Sequence, residues 1–174
     1  SLAEACRSLD LHPNLVRKWK QKIMSQEKPS HQLSEEEKAE LKRLREELDC
    51  GHSKSNDVLL CGDMNIAPDD DDTWDPFEAD GQILFHPEEH RALKNVTAWG
   101  FVDAFRNFHP RSQSFSWWDY RGGGFQRNHG FRIDHIYLTN SLLKKCTTVT
   151  IEKSLRGWEQ PSDHVPVVAQ LELP

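Results

Sequence analysis

Four short polar clusters carry the chemistry this chain can do: Asp63-Met64-Asn65, Trp117-Trp118-Asp119-Tyr120, Asp134 and Asp163-His164. Carboxylates, an amide and an imidazole gathered in one place suit a hard divalent cation and a phosphate ester. A carboxylate beside an amide can hold an attacking water and a phosphate oxygen. Three of the clusters follow or end an apolar run: Val58-Leu59-Leu60 before Asp63, Phe131 and Ile133 before Asp134, and Trp158 ahead of Asp163. Polar groups at strand ends converge when the strands share a sheet.

The elements that must position them read as follows. Asp57 to Leu60 is a short buried strand, ending at Gly62, and Pro68 forbids its continuation. On an extended chain Asp63 and Asn65 share a side. Ser114 to Tyr120 is strongly strand-forming, and alternation sends Trp117 and Trp118 to opposite faces, one for the core and one outward. Arg121-Gly122-Gly123-Gly124 is a flexible loop beside a cation, and Arg127 to Leu138 is a loop entering a strand. Asp134 lies among apolar neighbours there and needs a partner, because an unpaired buried charge is expensive. A histidine on an adjacent strand, His164, supplies one, and Val165, Val167, Ala169 and Leu171 alternate after it as a terminal strand. Pro87-Glu88-Glu89 opens a helix that runs to Trp99 and stops at Gly100. The run Asp69 to Asp72 lacks the spacing of a calcium loop and reads as a solvated loop. His86 and His90 are four apart, but with no third ligand nearby they do not make a zinc site.

Composition narrows the class. The chain has 174 residues, 36% hydrophobic and 29% charged, with a net charge of −6. No apolar run approaches the roughly 18 residues a membrane span needs, and no signal-peptide pattern is present. A first residue Ser1 rather than Met fits a fragment or a processed product. Cys6, Cys50, Cys61 and Cys146 form no C-x-x-C pair, and scattered thiols fit a cytoplasmic protein. The acidic balance gives no global attraction to nucleic acid, so DNA binding needs a local basic patch and a metal that offsets the acidic site.

The aromatic residues divide the chain: of the Phe, Trp and Tyr, only Trp19 precedes residue 51. Residues 1–50 therefore read as an appendage and 51–174 as the main body. Leu2 to Leu9 is a short helix, Asp10-Leu11-His12 a turn, and Pro13 opens a second helix with Leu15, Val16 and Trp19 on one face and Arg17, Lys18, Lys20 and Lys22 on the rest. Helix, tight turn and basic helix resembles the helix-turn-helix of insertion-sequence transposases. The appendage divides at residues 1–32, helix-turn-helix remnant and polar linker, and 33–50, a short helix. Leu41, Leu44 and Leu48 give that helix one face; a truncated coiled coil and a helix packed on its neighbour fit equally.

The segments Leu60 to Pro68 (LCGDMNIAP), Phe115 to Arg121 (FSWWDYR), Gly130 to Ile136 (GFRIDHI) and Trp158 to Val167 (WEQPSDHVPV) together resemble the C-terminal half of the exonuclease III family of abasic-site endonucleases, within the endonuclease/exonuclease/phosphatase superfamily. The resemblance implies an α/β (α+β) fold: the C-terminal half of a four-layer α/β sandwich with mixed β-sheets, here joined to a mainly helical appendage. It implies that Asp63 orients or deprotonates the attacking water, Asn65 holds the scissile phosphate, and His164, fixed by Asp134, stabilises the developing charge. Asp163, with His164, would bind Mg2+ (or Mn2+). Trp117 would stand against double-stranded DNA at the lesion pocket, with Asn128 and Arg132 at the DNA-binding edge. The expected activity is metal-dependent DNA repair, as a 3′–5′ exodeoxyribonuclease and abasic-site endonuclease acting on abasic or 3′-end substrates.

The family's first half supplies a strand Asn, the main magnesium-binding Glu and a Tyr near the phosphate, and nothing before residue 55 matches them. The isolated chain is therefore expected to be incomplete. It reads alternatively as a non-catalytic gene-fusion product with residual DNA binding, or as one half of a split nuclease. A missing N-terminal half, or self-association through an exposed apolar face, would complete it.

Overall fold

A computed structural model of the chain describes residues 35–173, all within one compact unit, Gln32–Pro174. The helix-turn-helix, its basic face and the linker lie outside the described residues. Along the chain run α1 (Glu35–Gly51), β1 (Leu59–Asp63), α2 (Pro76–Ala79), α3 (Pro87–Thr97), β2 (Phe101–Asp103), α4 (Ala104–Phe108), α5 (Gly124–Arg127), β3 (Asp134–Thr139), α6 (Asn140–Leu143), β4 (Cys146–Ile151) and β5 (Val167–Leu171).

β3 is the centre of a three-stranded antiparallel sheet of order β1-β3-β2. Its residues His135 to Thr139 are buried without alternation, because both faces are covered. On one face, Ile136 and Leu138 pack with Ala104 and Phe105 of α4, Leu142 of α6 and Val149 of β4. On the other, Tyr137 packs with Leu93 of α3, Trp99, Phe101 and Ile66, and Leu48 of α1 joins them. β4 and β5 form a second antiparallel pair, bulged between Cys146 and Thr148. Among the described strands every pairing is antiparallel.

The helices follow local chemistry. α1 is carried by charged residues, with Lys42–Glu46 and Arg43–Glu47 pairs at 3.7 Å. The coiled-coil reading rests on Leu41, Leu44 and Leu48; the side chains of the first two lie outside what the structure describes, and Leu48 packs on the core of the body. α3 opens with a capping box: the His86 ring accepts the Glu88 N–H, and the Glu89 carboxylate accepts the His86 N–H. His90 is hydrogen-bonded through Nε2 to the Ala67 carbonyl at 2.8 Å, tying α3 to the loop after β1. The helix ends at Thr97, just before the expected Trp99.

Four sequence expectations change. β1 is not buried: it lies at a sheet edge, begins at Leu59 and leaves that residue 43% exposed. Ser114 to Tyr120 is not a regular strand; Trp117 makes isolated bridges to Phe131 and His164, so the segment stitches two loops together. Arg121 to Gly123 is an ordered 3-10 turn leading into α5, with Gly122 and Gly123 at φ 65° and 66°, which glycine adopts without steric cost. Asp69 to Asp72 is not wholly solvated: Asp69 caps a 3-10 turn, and Asp72 is completely buried.

Candidate active site

Asp63 closes β1 and Asp134 opens β3, and the register sets them directly opposite. His164 arrives on the loop before β5, held by its bridge to Trp117. The result is a compact group. His164 Nδ1 lies 2.9 Å from Asp134 Oδ2, and its Nε2 lies 3.9 Å from Asp63 Oδ2. An ionised carboxylate only accepts hydrogen bonds, so Nδ1 donates and Nε2 faces Asp63. Asp134 and His164 are half-buried, whereas Asp63 opens to solvent.

Asn65 follows a turn that the sequence pattern did not show. Its backbone is left-handed (φ 50°), and its N–H donates to Asp63 Oδ1 at 2.8 Å. Asp63 and Asn65 are therefore neighbours across an Asx turn rather than along an extended strand. The Asn65 side chain is exposed beside the carboxylate.

The ligand atoms of Asp63, Asp134 and His164 all lie within 4.8 Å of one another. Two carboxylates and an imidazole, with no thiolate, fit a hard divalent cation. Asp163 stands outside this group: its Oδ2 accepts the Trp117 indole N–H at 3.0 Å. Its backbone carbonyl accepts the Trp118 N–H at 3.0 Å, and Tyr120 Oη donates to the Pro161 carbonyl on the same loop.

Trp118 is the core member of the tryptophan pair, fully buried against Phe115 and Val165. Trp117 is half-buried, 6.5 Å from the His164 ring between centroids. With Trp74, Ile83, Leu84 and Phe131 it lines a cleft of about 470 Å³. Gly130 lets this region close: a Cβ there would strike the Trp118 indole and stand 2.7 Å from the Phe115 ring. Asn128 is exposed and left-handed at the end of α5, and its Oδ1 accepts from Lys153 Nζ at 2.7 Å and Trp118 Nε1 at 3.4 Å.

Arg132 does not reach a DNA-binding edge; this expectation is corrected. The side chain is 1% exposed and donates Nε and Nη2 to both oxygens of Asp72 at 2.6 and 2.9 Å, with Asp103 2.8 Å away. Arg106 pairs with Asp72 from the other side, and Arg132 Nη1 donates to His135 Nδ1 at 2.9 Å. Burial works against both charges, but the partners around each outweigh it. Burial pushes the Asp103 carboxyl up, while its contact with His135, the Arg132 charge and the Arg106 backbone N–H hold it well below the ordinary 3.8. Burial likewise opposes the Arg132 charge, yet Asp72 first and Asp103 second raise its pKa above the ordinary arginine value. This network ties the Asp72 turn, β2, α4 and the entry to β3 together. The signal for it was Asp103 between Val102 and Ala104, a carboxylate in an apolar stretch.

Ser116 was also missed. It is fully buried, and its Oγ accepts the N–H groups of both Ile133 and Asp134 at 3.1 Å. A hydroxyl among aromatics gave no sequence signal.

The layered helices and antiparallel sheets, with an acid–histidine group where strands end, define the fold of the exonuclease III and AP endonuclease proteins. Residues 28–164 match the model of the Endonuclease/Exonuclease/phosphatase family, and the chain belongs to that family. Residues 1–49 also match a family described as Transposase. The chain is 39% identical over 134 residues to Exodeoxyribonuclease III of Haemophilus influenzae, covering 73% of this chain and 50% of the relative. An AP endonuclease from Archaeoglobus fulgidus superposes with a TM-score of 0.73 at 34% identity, covering 78% of this chain and 53% of that one. The Neisseria 3′ phosphatase NExo, bound to a product DNA hairpin, gives 0.72 at 34% identity, covering 78% and 51%. The chain thus spans about half the length of these relatives. Among the described residues, no helix is long and apolar enough to cross a membrane.

Proposed function

We propose that this chain carries part of the active site of a metal-dependent DNA-repair phosphodiesterase, acting on double-stranded DNA at abasic sites or 3′ ends. The observation that carries the reading is the convergence of Asp63, Asp134 and His164 in a chain of this family. Asp63 orients or deprotonates the attacking water, and Asn65, exposed on the adjoining turn, holds the scissile phosphate. His164 faces the developing charge through Nε2, with its tautomer fixed by Asp134 at Nδ1. Asp63 and Asp134 would hold Mg2+ or Mn2+, with Asp163 joining them once released from Trp117; His164 would ligate the ion through Nε2 only when that nitrogen is not facing the phosphate. Such an ion, when bound, supplies positive charge to the phosphate and acidity to water. Trp117 and Phe131 offer the aromatic cleft for the DNA, and Asn128, exposed at the end of α5, is a further contact for it. A cytoplasmic setting suits the free thiols of Cys50, Cys61 and Cys146.

The half-length match favours a second reading beside this one. In that reading the chain does not cut DNA by itself: it is one half of a split nuclease, or a non-catalytic gene-fusion product with residual DNA binding. One assay separates the readings. The full chain is incubated with Mg2+ and a duplex bearing one abasic site, beside its His164→Ala and Asp163→Ala variants. Incision by the parent alone supports an active site sufficient in itself. No incision at high protein concentration overturns that; recovery on adding a separately made N-terminal half of a relative then supports the split enzyme.

A further inference from the structure

Ser116 sits where the two halves of the acid–histidine pair meet. Its side chain is fully buried, and its Oγ accepts the Ile133 and Asp134 N–H groups, each at 3.1 Å. Its backbone reaches in two further directions. The Ser116 N–H donates to the Phe131 carbonyl at 3.0 Å, and its carbonyl accepts the Val165 N–H at 2.8 Å. One residue therefore grips the chain just before β3 and the chain immediately after His164.

The carboxylate and the imidazole come from segments 30 residues apart, and their 2.9 Å contact depends on the relative placement of both backbones. On the Asp134 side, the hydroxyl is the side-chain group that receives the Asp134 N–H. A buried N–H that loses its acceptor drives the backbone to turn toward another one. At Asp134 such a turn would swing the carboxylate off His164 Nδ1. On the His164 side, the Ser116 carbonyl continues to hold Val165 whatever the side chain is. Removing the hydroxyl should thus move one partner and leave the other in place.

We propose that Ser116 is a positioning residue for the Asp134–His164 pair: its hydroxyl fixes the Asp134 backbone so that the carboxylate holds the proton on His164 Nδ1. The assignment rests on the catalytic reading of that pair. Its test reads the pair directly, so a chain with no nuclease activity still decides it.

The experiment uses the full chain, labelled with nitrogen-15, at one fixed pH. The solvent exchange of the His164 Nδ1–H and the tautomer of the ring are measured by nuclear magnetic resonance in the parent, Ser116→Ala and Ser116→Thr. Ser116→Ala is expected to speed exchange of the His164 Nδ1–H roughly tenfold, the factor a single lost hydrogen bond is worth. It should also mix the tautomers, and Ser116→Thr, which keeps the hydroxyl, should restore both readouts. A merely structural role predicts something different. The Ile133 and Asp134 amides would exchange faster while His164 keeps its tautomer and its exchange rate, and that result overturns the proposal. Should Ser116→Ala fail to fold, Ser116→Cys replaces it in the same comparison, because a thiol is a much weaker acceptor of two N–H groups. Faster Nδ1–H exchange with mixed tautomers in Ser116→Cys supports the proposal, and an unchanged His164 overturns it.

Discussion

Arg132 and Asp134 are two residues apart and belong to opposite kinds of charge cluster. Arg132, Asp72 and Asp103 form a closed network: Arg132 and Asp72 are almost fully buried, and the guanidinium meets both carboxylates. Asp63, Asp134 and His164 form an open group, with one strong hydrogen bond, one looser approach at 3.9 Å and solvent on one side. The residue types overlap. What differs is whether each charge is already answered within the fold. A network whose charges are satisfied holds structure; a group with an unanswered carboxylate edge and a free imidazole nitrogen is available for chemistry.

The contrast can be tested from the strongest effect downward. Arg132→Ala leaves Asp103 without its cation and Asp72 with Arg106 alone, and breaking a buried pair in this way costs about 3–5 kcal/mol. Urea denaturation should show that loss, and a small loss would mean that the network is better hydrated than its burial implies. Asp103→Asn should cost on the order of 2 kcal/mol near neutral pH. Its carboxyl is held below 3.8 in the folded state, so the charged form stabilises the fold above that pH. That stabilisation drains away as pH falls below 3.8 toward the lowered folded value. The stability gap between parent and Asp103→Asn should therefore be flat above that point and shrink below it. A gap that instead grew on acidification would reverse the assignment.

In the open group the expectation turns around. His164→Ala should abolish any incision the parent chain performs, yet change folding stability by no more than about 1 kcal/mol, as half-exposed pairs do. A large loss of stability would place His164 with the structural network. At the smallest end, Arg121→Ala removes a side chain paired with Asp119 at 2.9 Å but almost wholly exposed. Its midpoint in thermal unfolding should match the parent's.

Sequence reading recovered the open cluster better than the closed one, for a physical reason. Asp134 lies among apolar residues and so demanded a partner, and Asp163-His164 offered one beside a strand pattern. The need for pairing was visible locally, even though the pairing is not local. Arg132 demanded partners just as strongly, but its acids lie 60 residues back at Asp72 and in the short β2 at Asp103. Asp72 was hidden among three exposed or half-exposed aspartates beside it. Asn65 shows a different limit. Its nearness to Asp63 was legible, but the left-handed turn that produces it needs a backbone conformation that a period-two pattern assumes away. β1 looked buried because Val58-Leu59-Leu60 is apolar, and composition does not say that a strand ends up at the edge of its sheet.

The β1–β3 ladder has five rungs, and Asp63 opposite Asp134 is the last of them. Side chains change face at every residue of a strand, so sliding β1 by a single step would turn Asp63 away from His164. The molecule would keep its helix and strand content and its circular dichroism, yet have no site. Alignment fidelity is thus written into the side-chain geometry: the fraction of molecules in which Asp63, Asp134 and His164 converge counts the fraction whose edge strand has settled in step.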